Sequence, residues 1–400
     1  MNKFLVKLIC FFIPIRKYRK KIKHKLMEQI VSGVASAVVK NARGNVLVCY
    51  MKDSLLLDDN SERLKYHTNR WENREIARIF LELGYNVDCI DFNHKFVPTK
   101  KYDIVFDTVG RFKEFAPCMN KGALKILYLA GSYGEYNNKQ EEKRLQYFNE
   151  RHKAKLPPER VFERNDEGLE EADVCLLVGN EHTRQTYPAK FLHKIQTIGV
   201  TGGQVAKIKT FEEYYPEEKE FLWIGGAGPV HKGLDLLLDI FTKHPEWHLN
   251  IMCKINSKSD FYKYFKKELT KYPNIHFHGL VMPSSELFEK VVSRCFATIN
   301  PSCAEGMSTA TLTALSVGLY PIISYDNGFT LPENCGIYLD ECSIDEIENA
   351  ISEVWNKNKQ DICQEIKLVH NMVLNDYSRE KYHINMYNFI ASQIERKNAN

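Results

Sequence analysis

From residue 45 onward, short apolar runs alternate with longer stretches of helical character, and this alternation constrains the fold more than any other feature. Apolar runs at 45–50, 87–90, 103–106, 125–130 and 174–178 read as strands. A helix is expected over 71–83, closed by Gly84, since glycine readily takes the left-handed conformation that ends a helix. A second helix, over 140–153, is so densely charged that it reads as exposed. The pattern pauses in a polar, Pro216-containing segment at 207–220 and then restarts. Strands are expected at 221–224, 248–253, 274–278, 296–300 and 320–324, and helices at 234–242, 261–271, 284–293 and 309–317. Strands separated by helices imply parallel pairing. Two such series predict an α/β chain of two Rossmann-like domains, at 41–205 and 206–375, with the boundary inside 201–220. A terminal helix at 376–400, bearing Tyr382, Ile384, Tyr387, Phe389 and Ile390, is expected to return to the first domain.

Composition supports two cores. Hydrophobic residues make up 44% of the 400, and 22 Phe with 21 Tyr exclude widespread disorder. The 11 cysteines form no CxxC pair and fit reduced, buried thiols of an intracellular protein. No metal-ligand spacing is visible, and the alternating His276 and His278 of one strand are weak metal candidates. Net charge is +4, but residues 1–25 hold nine Lys or Arg and no acid, which leaves the rest of the chain at −5. An acidic body disfavours nucleic acid as a partner.

The basic N-terminal part of segment 1–40 also contains an apolar run, from Phe4 to Ile13, interrupted by Lys7 and ended by Pro14. It is too short to span a bilayer, which takes about 20 apolar residues. No small-residue cleavage site follows it. It reads as an interfacial anchor, with each basic residue attracted to anionic lipid by about 1 kcal/mol near the surface; the alternative is a helix packed on the body with a solvated basic tail. The expected location is cytoplasmic, peripherally on the inner face of the cell membrane.

Two loops of the second half carry chemistry. In the first, Trp223-Ile224-Gly225-Gly226-Ala227-Gly228 leads to His231-Lys232-Gly233 at a helix start. Glycines let backbone approach a ligand, helix N-termini favour anions, and Lys232 can meet a diphosphate as a point charge. In the second, Asn300-Pro301-Ser302-Cys303-Ala304-Glu305-Gly306-Met307-Ser308-Thr309 follows a buried strand, at the carboxyl end of a sheet where open α/β folds bind ligands. Glu305 reads either as a first-turn capping acid or as a ligand residue. Ser308, Thr309 and their amides are placed to hold phosphate oxygens.

Together with Asn274-Ile275-His276-Phe277-His278-Gly279-Leu280 and Gly318-Leu319-Tyr320-Pro321, these loops resemble glycosyltransferase family 4, a group of retaining transferases with the GT-B fold. The resemblance covers about residues 220–325. In the first half, Gly131-Ser132-Tyr133 followed by Glu141 and Arg144, and Gly179-Asn180-Glu181-His182-Thr183, resemble a subgroup acting on bacterial surface polysaccharides. The resemblance implies two domains facing across a cleft and a nucleotide-sugar donor, with a glycan or lipid-linked glycan as acceptor. It places the phosphate-binding lysine at Lys232 and the donor-sugar glutamate at Glu305. It puts Gly226, Gly228 and His231 at the diphosphate, Gly306, Met307, Ser308 and Thr309 along the donor, and Gly279 and Leu280 by the base. His67 and Tyr133 are the acceptor-side candidates. No metal and no cofactor beyond the donor is implied, because fixed cations and dipoles stabilise the leaving diphosphate.

The sequence departs from the family twice. No arginine stands at the strand exit, where this chain has Gly225-Gly226-Ala227-Gly228, and the second motif glutamate is replaced by Thr313. These departures leave open a second reading, a catalytically weak or inactive scaffold in polysaccharide assembly. An epimerase or a phosphorylase on the same double fold would need a carboxylate–histidine set or a pyridoxal lysine region, and neither can be assembled.

Overall fold

The computed structural model describes residues 33–399 apart from 66–67, 95–97, 99, 164 and 203–213. The basic N-terminal run and His67 lie outside the described residues.

The first sheet contains β1 (Ala35–Ala37), β2 (Gly44–Tyr50), β3 (Tyr85–Asp91), β4 (Tyr102–Asp107), β5 (Met119–Leu129), β6 (Val174–Val178) and β7 (Ile195–Ile198). Their spatial order is β1-β3-β2-β4-β5-β6-β7, parallel throughout except for β1 on β3. The second sheet contains β8 (Glu220–Ile224), β9 (Leu249–Met252), β10 (Ile275–Gly279), β11 (Cys295–Asn300), β12 (Tyr320–Ser324) and β13 (Ile337–Leu339). Its order, β10-β9-β8-β11-β12-β13, is parallel throughout. This is the 3-2-1-4-5-6 arrangement of a doubly wound sheet. Helices on both faces explain why β6 and β11 are buried at every position. Among the parallel strands of each sheet the order reverses once, between β2 and β4 in the first and between β8 and β11 in the second. At such a switch point the neighbouring loops diverge and leave a crevice.

The helices that bear on function are α1 (Thr68–Glu82), α2 (Gly134–His152), α3 (Leu234–Phe241), α4 (Thr309–Ser316), α5 (Ile344–Asn356), α6 (Lys359–Asp376) and α7 (Arg379–Ala399). Gly84, with φ of 87°, closes the turn after α1. The helix expected over 261–271 is two short ones, Asp260–Tyr264 and Lys266–Lys271, broken at the buried Phe265. Helix α7 lies on α1 of the first domain. Tyr382 packs edge-on against Trp71, and His383 Nδ1 is 2.6 Å from Glu75 Oε1. No helix among the described residues is long and apolar enough to cross a membrane.

The exposed reading of 140–153 is corrected by the structure. Helix α2 buries Asn137, Glu141, Arg144, Leu145 and Phe148. The spacing of these residues makes one helical face. Leu145 and Phe148 sit in the second domain's core with Phe221, Trp223 and Leu234. Each buries side-chain surface worth about 1.5–3 kcal/mol. Arg151 adds ion pairs to Asp235 and Asp239 of α3. The helix is highly charged because its inward face is partly polar and meets polar partners. It therefore joins the two domains rather than decorating one of them.

Candidate active site

The loops after β8 and β11 flank the switch point of the second sheet, and they meet at Gly233. Its φ is 73°, and an added Cβ would come within 2.5 Å of Pro301. Only a residue without a side chain lets the loops approach this closely. The turn is held by the Lys232 amide donating to the Gly228 carbonyl at 3.0 Å, and by Trp223 Nε1 donating to the Lys232 carbonyl at 3.2 Å. Lys232 Nζ thereby reaches the Glu305 carboxylate in an ion pair. The two side chains are 11% and 10% exposed, so the pair is close to desolvated.

Glu305 does not cap α4. Ser308 does, accepting from the Thr311 amide at 3.3 Å. The capping alternative is thus excluded, and Glu305 is a cleft residue facing cations from both domains. Lys232 is one, and Arg160 of the first domain is the other, its Nη1 3.7 Å from Glu305 Oε1. Burial alone would raise the Glu305 carboxyl. Lys232, then Arg160 and His231, outweigh it and hold the group down at about 2.

His231 was expected at the diphosphate, but it is fully buried below the loop. Its Nδ1 is 2.7 Å from Glu141 Oε2 of α2, and its Nε2 is 2.6 Å from the Ala304 carbonyl. With both ring nitrogens engaged, it positions the residue before Glu305 rather than touching a ligand. The Glu141 carboxyl is buried, but hydrogen bonds from His231 and the amides of Glu159 and Arg160 hold it below its ordinary value.

Gly306 lines the pocket beside Glu305, and its Cβ side faces the first domain. An added Cβ would lie 2.6 Å from the Val178 carbonyl and 2.8 Å from that of Ala130. The space beside Gly306 is filled by first-domain backbone, so its lack of a side chain serves domain contact. Ser132 N donates to the Glu305 carbonyl at 3.2 Å and Thr183 Oγ1 to the Gly306 carbonyl at 3.1 Å. Met307 packs in a core cluster shared with Ile198 and Val200 of the first domain. Thr309 is half-buried at the start of α4, and Thr313 Oγ1 donates back to its carbonyl at 2.8 Å. Gly226 has open space on its Cβ side, as does Gly279, which has a φ of 71°. Leu280 beside it is 67% exposed.

Opposite Glu305, the carboxyl ends of β2, β4 and β5 open into a pocket of about 530 Å³. Tyr50, Val109, Tyr133, Arg160, Phe162 and Glu305 are among the residues lining it. Tyr133 is buried in that wall, and its hydroxyl donates to Asp166. The two sheets thus turn their carboxyl edges toward one space, and Glu305 stands between them. Arg160 had no signal in the sequence analysis, because only the fold brings residue 160 to residue 305.

Two groups of side chains have metal-ligand proximity among the described residues: Glu141, His231 and Cys303, and Glu220, His248 and His276. In the first, burial pushes the Cys303 thiol up to about 12, and His231 is already engaged by Glu141 and the Ala304 carbonyl. In the second, at the opposite ends of the strands, Arg294 Nε and Asn250 Nδ2 donate to the Glu220 carboxylate at 2.9 and 2.7 Å. A guanidinium on the carboxylate opposes a divalent cation there.

Residues 218–357 match the family described as Glycosyl transferases group 1. This part of the chain is a glycosyltransferase domain. The match holds β8 to β13, Lys232 and Glu305 together. No curated protein matches the chain in sequence. Among solved structures, sucrose-phosphate synthase from Thermosynechococcus elongatus superposes with a TM-score of 0.60 at 13% identity, over 88% of this chain and 99% of its own. HepE from Anabaena, in complex with UDP-glucose, gives 0.54 at 10% identity, over 88% and 100%. TarM from S. aureus gives 0.51 at 14% identity, over 73% of this chain. The chain spans only 56% of TarM's length. These likenesses show the GT-B fold around the glycosyltransferase domain.

Proposed function

We propose that the protein transfers a sugar from a nucleoside-diphosphate donor to a glycan or lipid-linked glycan, with retention and without a metal. The observation that carries this reading is the Lys232–Glu305 ion pair at the switch point, whose Glu305 lines the pocket at the carboxyl edge of the first sheet. As the glycosidic bond breaks, negative charge accumulates on the departing diphosphate. Lys232 is a fixed cation in a nearly dry site, where such charge is stabilised far more than in water. The incoming diphosphate takes over Lys232, and Glu305 is released to accept hydroxyl hydrogen bonds from the donor sugar. HepE, with UDP-glucose in the same fold, makes UDP-sugars the first donors to try.

The acceptor binds in the first-domain pocket, whose aromatic and apolar wall suits the carbon face of a sugar ring. The basic stretch within residues 1–25, beside an apolar run, holds the enzyme at an anionic membrane surface, where lipid-linked acceptors reside.

A panel of UDP-, GDP-, ADP- and CMP-sugars, scored by thermal shift and by donor hydrolysis with and without EDTA, tests the reading. One donor is expected to stabilise the protein and be turned over in chelator. No response to any donor refutes the proposed activity, and loss of turnover in EDTA that Mn²⁺ restores refutes metal independence.

A further inference from the structure

We propose that Arg160 is the second cation of the donor diphosphate site, supplied to the glycosyltransferase domain by the first domain. The inference rests on the donor reading of the Lys232–Glu305 site. A diphosphate brings at least two negative charges into that site. The strand exit at 225–228 carries no cation, and from the second domain Lys232 is the cation ion-paired with Glu305 among the described residues. Arg160 reaches the same carboxylate from the other side and lines the pocket.

Its placement is built rather than incidental. The Glu159 and Arg160 amides donate to Glu141 Oε1 at 3.0 and 3.4 Å, and Asn137 Nδ2 donates to the Arg160 carbonyl at 2.8 Å. Both anchors belong to the buried face of α2. Glu159 Oε2 in turn accepts from the Gly228 amide at 3.2 Å. The Arg160 stem lies on Gly228, where an added Cβ would come within 2.7 Å of Arg160 Cδ. The positive φ of Gly228, 77°, and its missing side chain let the arginine pass.

The guanidinium remains available. It stands 3.7 Å from Glu305 Oε1, beyond hydrogen-bond distance, and it makes no side-chain hydrogen bond among the described residues. Its side chain is 23% exposed, so the donors are neither sealed in nor fully hydrated. A planar fork in that state suits two oxygens of one phosphate. A diphosphate bound between Lys232 and Arg160 would also tie the two domains together. Nucleotide binding then stabilises the domain interface as well as the site.

The test compares wild type, Arg160→Lys and Arg160→Ala. Affinities for UDP, GDP, ADP and CDP and for the matching monophosphates are measured by calorimetry, beside melting temperatures. For the nucleoside diphosphate that wild type binds, Arg160→Ala is expected to weaken binding at least tenfold. The monophosphate should weaken by less than threefold, and the unliganded melting temperature should stay within about 2 °C. Arg160→Lys should recover part of the loss. Equal diphosphate affinity in wild type and Arg160→Ala overturns the assignment while leaving the donor site standing. Equal weakening of mono- and diphosphate assigns Arg160 to another part of the nucleotide and overturns it too. If wild type binds none of the diphosphates, the donor reading fails, and this inference fails with it.

Discussion

Replacing Glu305 by Gln keeps the shape of the side chain and removes its charge, and the surrounding cations set the size of the effect. The carboxyl sits at about 2 in the folded protein against an ordinary 4.5. That difference corresponds to roughly 3 kcal/mol of folded-state stabilisation. The folded value is depressed, so the contribution is fully present above the unfolded value near 4.5. It is lost as the pH falls through about 2. At pH 7 the variant forfeits all of it and leaves Lys232, 11% exposed, facing a neutral amide. Unpairing one partner of a buried ion pair costs about 3–5 kcal/mol, in line with this figure. A drop in melting temperature of roughly 6–12 °C follows for a domain of this size. Scanning fluorimetry of unliganded wild type and Glu305→Gln at pH 7 measures it. A nucleoside diphosphate supplies the missing negative charge, so it should raise the variant's melting temperature more than wild type's. Turnover on the donor found by the panel should fall at least about tenfold, which is only about 1.4 kcal/mol of barrier. A melting temperature within 1 °C of wild type would show that the cations are not coupled to Glu305, and the charge argument would collapse.

Three further outcomes are expected. Glu72 is buried, and desolvation raises its carboxyl to about 7 despite hydrogen bonds from Thr201 and the charge of Arg379. The folded state therefore keeps a proton that the unfolded chain releases, and stability falls as pH rises from about 4.5 to 7. Glu72→Gln should gain up to roughly 3 kcal/mol relative to wild type between pH 5 and 8, and a constant difference in urea unfolding over that range contradicts this. Gly306→Ala should lose about 1–3 kcal/mol, because its methyl would meet the Val178 and Ala130 carbonyls at 2.6 and 2.8 Å. Unchanged unfolding would mean that the domain contact is slack. Removing residues 1–25 should release the protein from anionic vesicles at low salt without changing its melting temperature; if full-length protein ignores such vesicles, the anchor reading is wrong.

Much of the fold was legible because it rests on local signals. The apolar runs of β2, β6, β8 and β11 are continuous, since both faces of a parallel sheet are covered, and glycines mark the turns between them. Lys232 and Glu305 were legible as residues just past strand ends, and the structure brings them into contact. Helix α2 was misread because burial was sought in apolar residues alone. Its inward face mixes Asn137, Glu141 and Arg144 with Leu145 and Phe148, and only the helical spacing of all five reveals it. His231 was misplaced because a histidine beside a lysine expected at a diphosphate looks like a ligand residue. Its actual partner is 90 positions away in sequence, on α2. Arg160 was invisible for the same reason, since nothing in 154–163 distinguishes it from other loop cations.

The roles of α2 and Gly306 together explain why Glu305 can serve two domains. The loop that bears it is gripped on three sides. Below, His231 carries the Ala304 carbonyl toward Glu141 of α2. In front, Ser132 and Thr183 of the first domain donate to the carbonyls of Glu305 and Gly306. Behind, the Gly306 carbonyl lies so close to Gly328 that an added Cβ there would overlap it. Backbone hydrogen bonds and steric contact do not stretch, so a change in the angle between the domains must move this loop or break it. The backbone that carries Glu305 is therefore fixed by contacts from both domains. On the proposed reading, in which a donor held by one domain meets an acceptor in the other, a charged group fixed by both domains would align the two.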